Sequence, residues 1–239
     1  MSTIDAQERL IVALDVPDLR TAETLLDRLQ DSVVIVKIGL ELFTSAGPDV
    51  VKMAQMRGKH VFLDLKFFDI DETVARATAR AADLGVQFLT VHAHRKTMKA
   101  ALEGTKGHSA LKILAVTVLT NFEVQDIRES GCGWSVQDLV VARAKLAADV
   151  GCDGVVASGL EPQAIRKAVG GELAIVTPGV RPAGAKAHDQ ARVTTPTQAI
   201  EQGADYLVIG RPIRDADDPQ SAAKSIVDEM QSAFDRCAR

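Results

Sequence analysis

Short apolar, β-branched runs recur eight times along the chain, each followed by a longer amphipathic stretch. That alternation limits the fold more than any other feature. The runs lie at Ile11–Val16, Val33–Gly39, His60–Lys66, Phe88–Ala93, Lys112–Leu119, Gly154–Ser158, Ala174–Gly179 and Tyr206–Gly210. Their near-continuous hydrophobicity suits parallel strands covered on both faces. Helical patterns such as Leu19–Leu29, Glu72–Leu84, Val136–Val150 and Thr197–Gln202 fall between them, and a last one near Pro219–Cys237 closes the chain. Eight strand–helix units predict an α/β protein, a (β/α)8 TIM barrel. Such a barrel takes about 250 residues, and the chain has 239. No Gly/Ser- or Pro-rich linker divides it, so residues 1–239 are expected to form a single domain. The alternative is an open doubly wound sheet, which for dinucleotide binding would place GxGxxG after the first strand; none is found there.

The net charge of −4 argues against bulk nucleic-acid binding, which needs a basic face, but leaves room for a small anionic ligand. Cys132, Cys152 and Cys237 form no CxxC pair and no ligand cluster, so they are expected to be reduced and to behave as small buried apolar residues. The N-terminus lacks a basic segment followed by an apolar run, and no stretch is long enough to span a bilayer. A cytoplasmic, membrane-free protein is expected.

The positions of the charges carry the functional information. Asp15 ends IVALDV, Lys37 ends VVIVKIG, Asp64 and Lys66 end VFLDLK, and Arg211 follows YLVIG. C-terminal strand ends of a barrel converge on the active face. An unpaired charge buried there is costly, so these groups should be paired or functional. Asp64 and Lys66, two apart on a strand, should point to one side. Asp69 lies just beyond, and Thr73, four residues on in a helix starting near Asp71, could present with it. Taken singly, each charge has a bland reading as a solvated or salt-bridged group; the set is harder to dismiss.

A second cluster suits an anion. Gly210 and Arg211 close the eighth run, and Arg181 and Gln190 lie in the connection before it. Barrels often bind phosphate with the loops after strands seven and eight, where glycine admits backbone N–H groups and arginine adds a two-pronged donor. Two long connections stand out. Asn121–Trp134 follows the fifth run. Val180–Val193, with Gly184, Lys186 and His188, follows the seventh, and its length reads as a lid. His92 reads as structural, and His60, His94, His108 and His188 lack metal-ligand spacing. His92 and His94 would share one strand face without a third ligand. Trp134 reads as a packing residue.

The block DLKFFDIDET, Asp64 to Thr73, resembles the signature Asp-x-Lys-x-x-Asp-Ile-x-x-Thr of the orotidine 5′-phosphate decarboxylases. Flanking blocks agree in order and spacing, from IVALDV and VKIGLELFTSAGP through TVHA and VTVLT to TPGVRPAG and YLVIGRPI. The resemblance spans nearly the whole chain. The chain departs at Phe68, at Asp71 and at His94-Arg95-Lys96, none of them signature positions.

The resemblance implies decarboxylation of orotidine 5′-monophosphate without cofactor or metal, with Lys66 protonating C6 and with Asp64, Asp69 and Lys37 completing an alternating array. It implies that Asp15 and Lys37 hold the ribose, that Thr120 contacts the pyrimidine, and that Arg181, Gln190, Gly210 and Arg211 hold the phosphate. Asp64, Ile70 and Thr73 belong to the same substrate-binding set. It also implies a homodimer in which Asp69 and Thr73 serve the other subunit's site.

The chemistry can be reasoned beside this. Loss of CO2 leaves a vinylic carbanion with no neighbouring carbonyl to absorb it. The sequence has no motif for a cofactor that could act as an electron sink, which leaves preorganised charge. Two rivals stay open. One is a magnesium-dependent relative acting on sugar phosphates, which has an acid where this chain has Lys37. The other is a barrel without activity that serves as a scaffold.

Overall fold

A computed structural model describes residues 5–107, 110–171, 173–182 and 194–238. Eight parallel strands run in chain order: β1 (Leu10–Ala13), β2 (Ile35–Gly39), β3 (His60–Phe67), β4 (Phe88–His92), β5 (Lys112–Val116), β6 (Gly154–Val156), β7 (Ala174–Pro178) and β8 (Tyr206–Ile209). Each pairs with its sequence neighbours, and β8 returns to β1 through Leu10↔Leu207 to Val12↔Ile209, closing the barrel. The expected (β/α)8 architecture is therefore present.

The helices are α1 (Leu19–Leu29), α2 (Leu40–Ala46), α3 (Asp49–Met56), α4 (Asp71–Asp83), α5 (Arg95–Gly104), α6 (Val124–Glu129), α7 (Val136–Val150), α8 (Pro162–Val169), α9 (Pro196–Glu201), α10 (Arg211–Arg214) and α11 (Pro219–Cys237). Their starts are written locally. Asp18, Ser135 and Asp218 each accept a backbone N–H from the first turn of α1, α7 and α11, satisfying donors that no helical carbonyl reaches. Thr195 and Gln198 cap α9 reciprocally, with Pro196 in its first turn. None of the helices is long and apolar enough to cross a membrane, among the described residues.

Strand alternation sorts the apolar residues into two cores. Ile11, Ile35, Phe62, Phe88, Leu114 and Val176 fill the barrel interior. Their neighbours in sequence, such as Leu10, Val12, Val36, Leu63 and Leu89, face the helical layer. Inside the barrel the rings of Phe62 and Tyr206 both meet Phe88 edge-on, with centroids 6.0 and 5.4 Å away. Aromatic pairs prefer this geometry.

Several expectations are corrected. The ladders stop short of the apolar runs, so Asp15 lies two residues beyond β1 rather than on it. The connection Asn121–Trp134 contains α6 and is not simply a loop. Trp134 is half exposed and so is not a core packing residue. Of the cysteines only Cys152 is buried; Cys132 is intermediate and Cys237 exposed, and all three are free thiols. His94 lies outside β4, at the start of α5. The Val180–Val193 connection falls largely outside the described residues, together with Gly184, Lys186, His188, Gln190 and, elsewhere, His108. Its base is seen: Val180 pairs with Thr194, and the Arg181 N–H donates to the Thr194 carbonyl at 2.9 Å.

Candidate active site

The inward stripe on each strand ends in the site. Lys37 follows Ile35 by two residues, and Asp64 follows Phe62 by two, so both continue the interior face of their strands at the C-terminal mouth. The Lys37 ammonium lies 2.8 Å from Asp15 Oδ1 and 3.6 Å from Asp64 Oδ2. Asp64 Oδ1 in turn accepts from Lys66 Nζ at 2.9 Å. Charges thus alternate in the order Asp15, Lys37, Asp64, Lys66. Lys37 and Asp64 are nearly buried, while Lys66 and Asp15 are progressively more open.

Burial alone would push the Asp64 carboxyl up, but the Lys37 and Lys66 ammonium groups outweigh it and hold Asp64 below the usual carboxylate range. Burial would likewise push Lys37 down, but Asp64 and Asp15 outweigh it and raise it. Both groups are therefore charged at neutral pH. The part of stability tied to Asp64 is lost only as pH falls below the normal carboxylate range, and that tied to Lys37 only as pH rises above the normal lysine range.

The main chain at Lys66 is unusual. Its φ is +50°, one of two positive values at non-glycine residues among those described. A residue with a Cβ adopts this region at a cost of roughly 1–2 kcal/mol. The β3–β4 register shifts here: Leu63 pairs with Leu89, but the next pair is Phe67 with Val91. A bulge of this kind redirects a side chain. So Asp64 and Lys66 meet, but not through the regular pleat assumed from their spacing.

Two further residues shape the array and were not picked out from the sequence. A Cβ at Gly39 would come within 3.1 Å of Lys37 Nζ and 3.4 Å of Asp15 Oδ1, so glycine leaves room for that pair. Thr90 is fully buried, and its hydroxyl accepts from the Lys66 N–H and donates to Asp64 Oδ1, both at 2.9 Å. A signal existed, since Thr90 stands two residues after the inward-facing Phe88 and belongs to the same stripe.

A cavity of about 340 Å³ opens beside Lys37 and Asp15 and is lined also by Gly179, Arg181, Gly210 and Arg211. The two arginines come from the ends of β7 and β8, and Arg181 is buried. Arg214, also on the lining, donates from Nη1 to the Asp15 carbonyl at 2.6 Å and braces that loop. A larger groove of about 580 Å³ runs alongside over α1 and shares Asp15 and Arg214, but Lys37 lies with the smaller cavity. Thr120 is half buried, four residues past β5.

Other sequence candidates lie apart. Asp69 is exposed and accepts from the neighbouring Ile70 N–H at 2.6 Å. It precedes α4, whose N-cap is Ile70, so the helical i, i+4 spacing to Thr73 does not apply to it. Thr73 is exposed on the first turn of α4. Within one chain neither reaches the Asp15–Lys66 array. Phe68 and Ile70, flanking Asp69, are 62% and 76% exposed. Phe68 packs against His92 and His94, with ring centroids 5.6 and 4.7 Å away. Burial holds both imidazoles below their usual pKa, helped by Arg143. Among the described residues no group of three His, Cys, Asp or Glu could hold a metal ion.

Comparison with known proteins bears on the family and the fold. Residues 8–226 match the family model described as orotidine 5′-phosphate decarboxylase / HUMPS family. Orotidine 5′-phosphate decarboxylase of Rhodopseudomonas palustris (strain BisA53) is 50% identical over 230 residues, 96% of this chain and 97% of that protein. The protein of the same name from Afipia carboxidovorans is 52% identical over 227 residues, 95% and 96% of the two chains. The crystal structure of orotidine 5′-phosphate decarboxylase from Lactobacillus acidophilus superposes with a TM-score of 0.84 at 38% identity, covering 93% of this chain and 99% of that one.

Proposed function

The chain is an enzyme of the orotidine 5′-phosphate decarboxylase / HUMPS family, and from that premise we propose that it converts orotidine 5′-monophosphate to uridine 5′-monophosphate and CO2, a step of pyrimidine biosynthesis. The observation that carries this reading is the Lys66 ammonium held on Asp64, with Lys37 on the other carboxylate oxygen. As the bond from C6 to the carboxylate breaks, its electron pair stays on C6 and CO2 departs. Lys66 stabilises that pair and delivers a proton to it; solvent then reprotonates the amine. Fixed charge of this kind needs no reorganisation during the reaction.

Asp64 adds a second effect by facing the substrate carboxylate. Two unit charges about 4 Å apart interact by about 4 kcal/mol at an effective dielectric near 20, which is about three powers of ten in rate if fully released. That is useful but too small to be the whole mechanism, so carbanion stabilisation by Lys66 ranks first.

Asp15 and Lys37 serve the ribose hydroxyls, Thr120 the pyrimidine, and Arg181, Gln190, Gly210 and Arg211 the phosphate. Gripping the phosphate turns remote binding energy into organisation at C6. Asp69, Ile70 and Thr73 are exposed, and exposed apolar residues flank Asp69. We assign them to the neighbouring subunit's site in a homodimer. The free thiols suit a cytoplasmic enzyme.

The competing reading is a magnesium-dependent relative acting on sugar phosphates. Lys37 stands between Asp15 and Asp64 and would repel a hard cation from those oxygens, so the reaction is proposed to need neither metal nor cofactor. A spectrophotometric assay of orotidine monophosphate in EDTA tests both points. The wild type turns over at full rate, and Lys66→Ala loses about 10³-fold in kcat or more, in keeping with removal of a general acid. No turnover by the wild type, or activity that returns only with added magnesium, overturns the reading.

A further inference from the structure

We propose that Thr90 is a positioning residue for catalysis, its hydroxyl holding the Lys66 backbone and the Asp64 carboxylate in their reactive arrangement. The register makes this role necessary. Between the pairs Leu63↔Leu89 and Phe67↔Val91, β3 advances four residues while β4 advances two. Residues 64–66 are therefore out of step with β4, and Thr90 is the β4 residue facing that stretch. Its hydroxyl accepts from the Lys66 N–H and donates to Asp64 Oδ1, the same oxygen that receives the Lys66 ammonium.

Three contacts of 2.9 Å thus close a small ring around Lys66, two of them through Thr90. Lys66 holds a φ of +50°, which a residue with a Cβ rarely keeps unless its surroundings over-determine it. Thr90 is one such determinant. It is wholly buried, so it organises groups that touch the substrate without touching the substrate itself.

This inference rests on the decarboxylase reading for its kinetic part only. Valine at position 90 keeps the shape of threonine but removes the hydroxyl; serine keeps the hydroxyl but removes a methyl group. With Thr90→Val, kcat falls about 10- to 100-fold, the scale expected when a catalytic group is misplaced by about an ångström, while KM moves less than about threefold. Thr90→Ser stays within about fivefold of the wild type in kcat. A threonine needed only for packing gives the reverse order, with valine the better tolerated, and that result overturns the proposal. Should the valine protein fail to fold, Thr90→Ala against Thr90→Ser isolates the same hydroxyl at equal loss of the methyl.

Crystal structures of the wild type and Thr90→Val test the positioning without substrate. The valine protein is expected to show Lys66 at a negative φ or its ammonium displaced from Asp64. Unchanged Lys66 geometry also overturns the proposal. If the wild type does not consume the nucleotide, the decarboxylase reading falls, and the structural comparison still decides whether Thr90 holds Lys66.

Discussion

Lys66 combines a proton-bearing side chain with a backbone conformation that suits glycine. The ordinary ranking of substitutions should therefore invert there. Both Lys66→Ala and Lys66→Gly remove the ion pair with Asp64, but only glycine occupies a φ of +50° without steric cost. We expect Lys66→Gly to be the more stable of the two by about 1 kcal/mol, or about 2–4 °C in Tm for a chain of this size. Thermal melts of the two variants check this, and alanine melting higher would sink it. The charged members of the array were legible because carboxylates and ammonium groups interrupt apolar runs. Thr90 was passed over despite its place on the inward stripe, because threonine in a strand is ordinarily a β-former packing on the pleat. Gly39 was hidden for a similar reason: nothing in the sequence says which glycine has a lysine folded over it.

At the level of elements, the alternation of runs disclosed every strand, and three helices carry their expected bounds. The ends were overestimated because hydropathy records burial, not pairing. Leu14, Val16 and Val118 are buried beyond the last ladder residue of their strands. The β3 bulge escaped notice because a two-residue spacing gives the same face only in a regular pleat. The base of the phosphate-side connection invites its own test. A Cβ at Gly159 would lie 1.9 Å from Thr194 Oγ1 and 2.9 Å from its Cβ, and Thr194 pairs with Val180 next to Arg181. Gly159→Ala should cost about 1–3 kcal/mol through overpacking and raise KM for the phosphorylated substrate. An unchanged melting temperature and KM would show that Thr194 yields freely.

For the whole molecule, the proposed exchange of Asp69 and Thr73 between subunits can be read from mixtures. Lys66→Ala and Asp69→Asn are each expected to be inactive alone. Mixed and allowed to exchange, half the dimers become hybrids with one intact site of two, restoring about a quarter of wild-type activity for a two-fold dimer. No recovery on mixing would mean that each chain builds its site unaided. Closure of the barrel bears on how the chain comes off the ribosome. The pairing that seals it joins Leu10 to Leu207, so nearly all of the polypeptide must be synthesised before the first strand meets its second neighbour. Until then the nascent sheet carries two bare margins, each able to zip onto another strand. Synthesis of this protein should therefore lean on chaperone shelter late in translation, and a truncation before Tyr206 should aggregate rather than fold into a smaller barrel.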